Sequence, residues 1–135
     1  MFTVLVVGLS LCLAGCGCVA APPKLDEAAM RQFVGGWSAH ASGMSIRQDG
    51  LVKLEVQVQA LKPDLGSEFP RWHMQVTSAT SKRLEARVTW SDSSRVKVGW
   101  NYVITQHAYG LKLSGPLGGR VFCDSYNREH GNCGA

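Results

Sequence analysis

The ten residues LVKLEVQVQA, positions 51–60, carry the pattern from which the rest of the chain can be read. Val52, Leu54, Val56 and Val58 alternate with Lys53, Glu55, Gln57 and Gln59, so an extended backbone has one apolar face and one wet face. A helix would scatter those four apolar side chains around its circumference, whereas a strand gathers them. The pattern is that of a half-buried strand in an antiparallel sheet, not the continuous apolar run of a central parallel strand. Asp49-Gly50 stands directly before it, a type I′ hairpin signal. It predicts a preceding strand with Met44 and Ile46 inward and Ser45 and Arg47 outward.

The same alternation returns downstream. It appears at Trp72, Met74 and Val76, then at Leu84, Ala86, Val88 and Trp90, then from Val96 and Val98 through Trp100, Tyr102 and Ile104, and again at Tyr109, Leu111 and Leu113. The segments TSK, SDSS, QHAYG and GPLGG supply turns. With a first strand from Trp37 and a last one around Val121, the chain reads as mainly β, with about eight short antiparallel strands in a meander, small barrel or sandwich. One short helix precedes them in LDEAAMRQFV, residues 25–34, with Asp26 and Glu27 in its first turn and Arg31 late, as the helix dipole favours. Gly35-Gly36 stops it. No other segment has the helical length that a βαβ crossover requires.

The 135 residues are 45% hydrophobic and 18% charged, enough for one domain with a core and too few for a multidomain machine. Fourteen Lys and Arg against ten Asp and Glu give a net charge of +4. The charges are mixed along the chain, without the concentrated basic footprint of a nucleic-acid partner.

Residues 1–23 contain no charged residue, and Lys24 is the first. The apolar run FTVLVVGLSLCLA, residues 2–14, has the length of a secretory core and falls short of the roughly 20 residues of a membrane span. It leads into Leu13-Ala14-Gly15-Cys16, which resembles the bacterial lipobox. Three expectations follow: residues 1–15 are a lipoprotein signal peptide, residues 16–24 an acylated tether beginning at the lipidated Cys16, and residues 25–135 a single β-rich domain. An uncleaved anchor is the alternative, because residues 1–21 suffice for a thin bilayer and no Lys or Arg marks the usual basic start. Cleavage before Cys18 would lack a Leu three residues back. The expected location is the extracytoplasmic face of the cell membrane, with the membrane as partner through N-terminal acyl chains.

Five cysteines divide by position. Cys12 leaves with the leader, Cys16 takes lipid, and Cys18 stays open among a free thiol, a second acyl site and an intermolecular bridge. Cys123 and Cys133, past the last strand of an exported domain, read as a disulfide that closes a short loop and ties down the tail.

Trp37, Trp72, Trp90 and Trp100 are read on the inward phase. A domain this small needs such side chains as core, and the competing reading makes them the walls of a ligand pocket at a barrel mouth. Arg87, Arg95 and Lys97 fall on the outward phase and form a candidate interaction face for anionic headgroups or envelope polymers, weighed against an ordinary solvated surface. His40, His73, His107 and His130 stand singly, with no HxH, HExxH or CxxC arrangement. There is no GxSxG turn, and no Ser-x-x-Lys pair is read as a nucleophile. The chain is therefore read as a non-enzyme, without catalytic residues, metal ligands or cofactor.

Trp37 with His40, Met44-Ser45-Ile46, Asp49-Gly50, Phe122-Cys123 and the terminal Cys133-Gly134-Ala135 together resemble a family of small exported proteins and lipoproteins of actinobacteria. That family has a W..H…L.I..DG opening and an FC…CGA end, and its molecular function is largely uncharacterised. The resemblance implies export, a β-rich domain and the terminal disulfide, and carries over no catalytic residue. Short lipoproteins of this kind are also encoded by phages and prophages that block superinfection. Gly35-Gly36-Trp37 is in addition similar to the Gly-x-Trp opening of lipocalins. The expected function is thus binding at the cell envelope, to an envelope protein, lipid or phage component, and the alternative is a lipocalin-like carrier of an apolar small molecule or lipid.

Overall fold

Asp26 sets the start of the first element. Its carboxylate accepts from the backbone N–H groups of Ala28 at 2.8 Å and Ala29 at 3.2 Å, capping helix α1 (Glu27–Arg31). In the computed structural model, which describes residues 24–57 and 68–133, eight strands follow. They are β1 (Gly35–Ala39), β2 (Ser42–Ile46), β3 (Leu51–Val56), β4 (Arg71–Ala79), β5 (Arg83–Ser91), β6 (Asn101–His107), β7 (Gly110–Gly115) and β8 (Gly118–Cys123), and helix α2 (Ser125–Glu129) comes last. Residues 1–23, with Cys16, Cys18 and nearly all of the tether, lie outside the described residues, as do Val58 to Ala60 and the final two residues.

Each strand pairs antiparallel with its chain neighbour, and β8 returns to β1, so the meander closes into a barrel. Closure is slender: β1 and β8 share the single registered pair Ser38 and Cys123. Two arginines reinforce the seam, Arg120 Nη2 donating to the His40 carbonyl at 2.7 Å and Arg128 Nη1 to Ser38 Oγ at 3.3 Å.

Alternation along β3 behaves as its sequence requires. Val52, Leu54 and Val56 are buried, Lys53 and Glu55 exposed, and the inward row continues through Met44 and Ile46 on β2 and Trp72 and Met74 on β4. Leu84, Ala86, Tyr102, Ile104, Leu111, Leu113 and Phe122 complete the interior. Met30 and Phe33 belong to the same core, so α1 closes the barrel end that carries the β2–β3 turn. Gln48 Nε2 donates to the Glu27 carbonyl at 3.2 Å, and Leu25 packs beside Gly50. The opposite end, the far rim, is formed among the described residues by residues 40–41, residues 68–70 before β4, the 92–100 connection and the Pro116-Leu117 turn.

Three local expectations are corrected. The β2–β3 loop is not a type I′ turn, which needs positive φ at both central residues; here Gly50 alone has it, at 84°, the mark of a three-residue hairpin loop with a glycine bulge. The strand expected from Val96 starts only at Asn101. Val96 is buried within the connection, and Val98 is 66% exposed. Tyr109, read as inward, occupies the β6–β7 turn and is exposed.

Candidate functional site

The four tryptophans do not share a pocket. Trp72 is fully buried in the core, and Trp37 and Trp100 are partly buried against it. Trp37 Nε1 donates to the Phe33 carbonyl at 2.9 Å, which ties β1 to the segment after α1. Trp90 is 44% exposed on the outer wall. A β-bulge turns it outward: Met74 pairs with Val88 but His73 pairs with Trp90, so Thr89 is the extra residue and the phase of β5 slips by one. Strict alternation could not reveal this.

Inside the barrel, the first side chains to point inward from the far rim on β4, β6 and β8 are Trp72, Tyr102 and Arg120. All three face the interior at this end of the barrel, Arg120 in register with the buried Leu113 of β7. The Trp72 and Tyr102 rings lie with centroids 6.0 Å apart. A side chain at Gly115 would collide with the Tyr102 ring, so the glycine is what lets the phenol lean across β7 toward β8. Trp72 Nε1, Tyr102 Oη and Arg120 Nε are buried without a hydrogen-bond partner. Burial pushes the Tyr102 phenol up to about 12 and moves the Arg120 guanidinium below its ordinary value. Val96 and Leu117, from two rim connections, are buried in the same core cluster as Trp72 and Tyr102.

Outside, a concavity of about 530 Å³ lies on the wall of β1 to β4. Gly36, Ser38, Gly43 and Ser45 give it a floor of small residues, and Lys53, Glu55, Arg71 and His73 rise around it. The His73 imidazole lies 4.7 Å from the Trp90 indole, linking the concavity to the exposed tryptophan. Arg71 pairs with Asp92 at 2.9 Å, and its backbone N–H donates to the same carboxylate at 2.8 Å. That backbone bond and the guanidinium hold Asp92 below the usual carboxylate range, and Asp92 in turn raises Arg71. Phe69, 48% exposed, precedes β4 at the same rim, and Val98 stands in the connection there.

The candidate basic face is divided. Arg87 projects from the β5 wall, with Nε donating to Asn101 Oδ1 at 3.3 Å. Arg95 and Lys97 belong to the rim connection rather than to a strand, and Arg95 pairs with Glu68 at 3.0 Å. Arg71 and His73 are the polar groups that the sequence reading did not select; His73 stood on the outward phase of β4, a signal that was legible but not distinctive.

Cys123 and Cys133 form a disulfide with Cα atoms 6.2 Å apart, and α2 lies within the loop it closes. His130 stacks on Tyr126, His107 lies near Tyr109, and His40 sits in the β1–β2 turn, so the histidines remain scattered. Ser94 and Lys97 do stand at Ser-x-x-Lys spacing, but in an irregular connection without the helical turn that would bring the amine over the hydroxyl. Among the described residues no three His, Cys, Asp or Glu side chains cluster as a metal site, and no helix is long and apolar enough to cross a membrane. Comparison with protein families, curated proteins and solved structures finds no match in any of the three.

Proposed function

We propose that the chain is a lipid-anchored cell-envelope protein that acts by binding, and that its partner meets the far rim and the adjoining outer wall. The observation that carries this reading is the difference between the two barrel ends. Leu25 enters beside Gly50 at the end closed by α1, while Phe69, Trp90, Val98, Arg71 and Lys97 are displayed at or toward the opposite end. With Cys16 acylated, the eight residues to Lys24 reach at most about 28 Å when extended. The closed end then faces the membrane and the rim faces away from it. Exposed aromatic side chains beside cations are the surface type that anchors protein partners, and isolated monomers rarely leave them together. An envelope protein or an incoming phage component suits such a rim, which is the position a superinfection-blocking lipoprotein requires.

The test uses the full chain produced in its exporting host. Cys16→Ala is expected to abolish acyl labelling and release from the membrane only by detergent; unchanged labelling removes the anchor from the proposal. Trp90→Ala combined with Lys97→Glu is expected to reduce crosslinking to envelope partners by about tenfold with an unchanged melting temperature. Equal crosslinking by the variant and the parent chain would sink the rim as the binding surface.

A second reading, a lipocalin-like carrier with its ligand inside the barrel, draws support from the three unpartnered polar atoms under the rim. Eight strands enclose an interior that side chains just fill or that holds one small ligand.

A further inference from the structure

We propose that the upper layer of the barrel interior is a headgroup site for the carboxylate of an apolar acid, received by Trp72 Nε1, Tyr102 Oη and Arg120 Nε. The proposal rests on the carrier reading and deepens it by naming the ligand chemistry.

Buried polar groups in folded proteins are paired almost without exception, because an orphaned donor forfeits its hydration and gains nothing for it. Among the described residues three orphaned side-chain atoms occur, and they are not dispersed: each belongs to the first side chain to point inward from the rim on one of three alternate strands. The indole and guanidinium N–H groups only donate, while the phenol, kept protonated by its burial, can donate or accept. Neither N–H is bonded to the phenol oxygen, so two donors and a phenol proton are left facing the same end of the interior, and an acceptor would serve all three.

Charge narrows the class. Arg120 contributes one cation to this layer, its Nη2 is already held by the His40 carbonyl, and none of the ion pairs among the described residues includes it. Arg120 is half-buried, with only its Nε shut away from solvent, and this single cation matches one anionic charge, which a carboxylate supplies and a phosphate dianion exceeds. A carboxylate also offers about four lone-pair sites, enough for three donors. The surroundings specify the remainder of the molecule: Val96, Leu117 and Leu113 are apolar, and the core beneath contains Met44 and Met74, unbranched side chains that rearrange around an inserted chain more readily than branched ones. Val96 and Leu117 sit on connections rather than strands, so entry from the rim displaces loops and leaves the barrel wall intact.

The full chain in a maltoside detergent, with detergent-only controls, is titrated with fatty acids from octanoate to palmitate, reading tryptophan fluorescence and melting temperature. At least one acid is expected to raise the melting temperature, with the alcohol of equal length and the alkyl phosphate at least about tenfold weaker. Arg120→Met is expected to lose about tenfold or more in affinity for the acid. Tyr102→Phe keeps the ring and removes one orphan, so it should raise the melting temperature of the ligand-free protein while weakening the acid. If Tyr102→Phe instead lowers that temperature and no acid shifts it, a structural water occupies the site and the proposal is overturned. Native mass spectrometry separates the two levels. A bound lipid without a carboxylate overturns the headgroup and leaves the carrier reading standing; a clean apo mass with no response to any ligand overturns both.

Discussion

The Tyr102 phenol ties stability to alkaline pH. Its proton is held up to about 12 in the folded barrel against an ordinary value of 10, so below pH 10 both states keep it and folding gains or loses nothing. From pH 10 upward the unfolded chain ionises and the folded one does not, which draws the equilibrium toward unfolding as pH rises. The expected loss is about 2 kcal/mol by pH 12, and Tyr102→Phe should flatten it in urea unfolding series across that range. A variant as alkali-sensitive as the parent would mean that the phenol is hydrated. At this scale the sequence was legible wherever pleating was regular. Trp72 was correctly assigned inward, but Trp90 was not, because one additional residue at Thr89 reverses which side of the sheet follows. Arg120 was invisible for a related reason: two glycines precede it, leaving no alternation to show that a cation points into the core.

Among the elements, β2, β3, β4 and β7 followed from alternation between turn residues, and α1 from its acidic first turn. The start of β6 did not, because Val96, Val98 and Trp100 alternate as a strand would while the backbone loops back, Gly99 N–H donating to the Val88 carbonyl at 2.8 Å. Apolar spacing of two records a preference for extended backbone, not a pairing partner. Helix α2 was likewise hidden, being five residues long and dependent on the Asp124 carboxylate, which accepts from the Asn127 N–H at 2.8 Å. The disulfide keeps this element on the barrel. Cys133→Ser is expected to lower stability by just under ~3 kcal/mol, from the chain entropy of a short closed loop. Urea unfolding with and without reductant checks it, since reductant should bring the parent chain to the variant's midpoint.

At the scale of the whole molecule, the barrel is a polar object in the geometric sense, with a plugged end where the chain enters and a displayed end where aromatic and basic groups gather. That asymmetry was legible only in part. The proposed tethering signal lies in residues 1–24, but which strand ends share a rim depends on the parity of all seven connections between strands, and one uncertain strand start disturbs the count. The candidate site suffered most, since Arg71, His73 and Trp90 meet only after β3, β4 and β5 are set in register.

Seven of the eight strand pairings join neighbours along the chain and can form as each hairpin emerges, but the Ser38 and Cys123 rung joins the first strand to the last. It bears the loop-closure entropy of nearly the entire domain on one backbone pair and two arginine bonds. The protein therefore assembles as a curling ribbon and becomes a ring in its last step, and it reopens there first. In native-state hydrogen exchange the Ser38 amide should lose protection well before those of Leu54 and Met74, and simultaneous exchange of all three would show that the ring opens only by global unfolding.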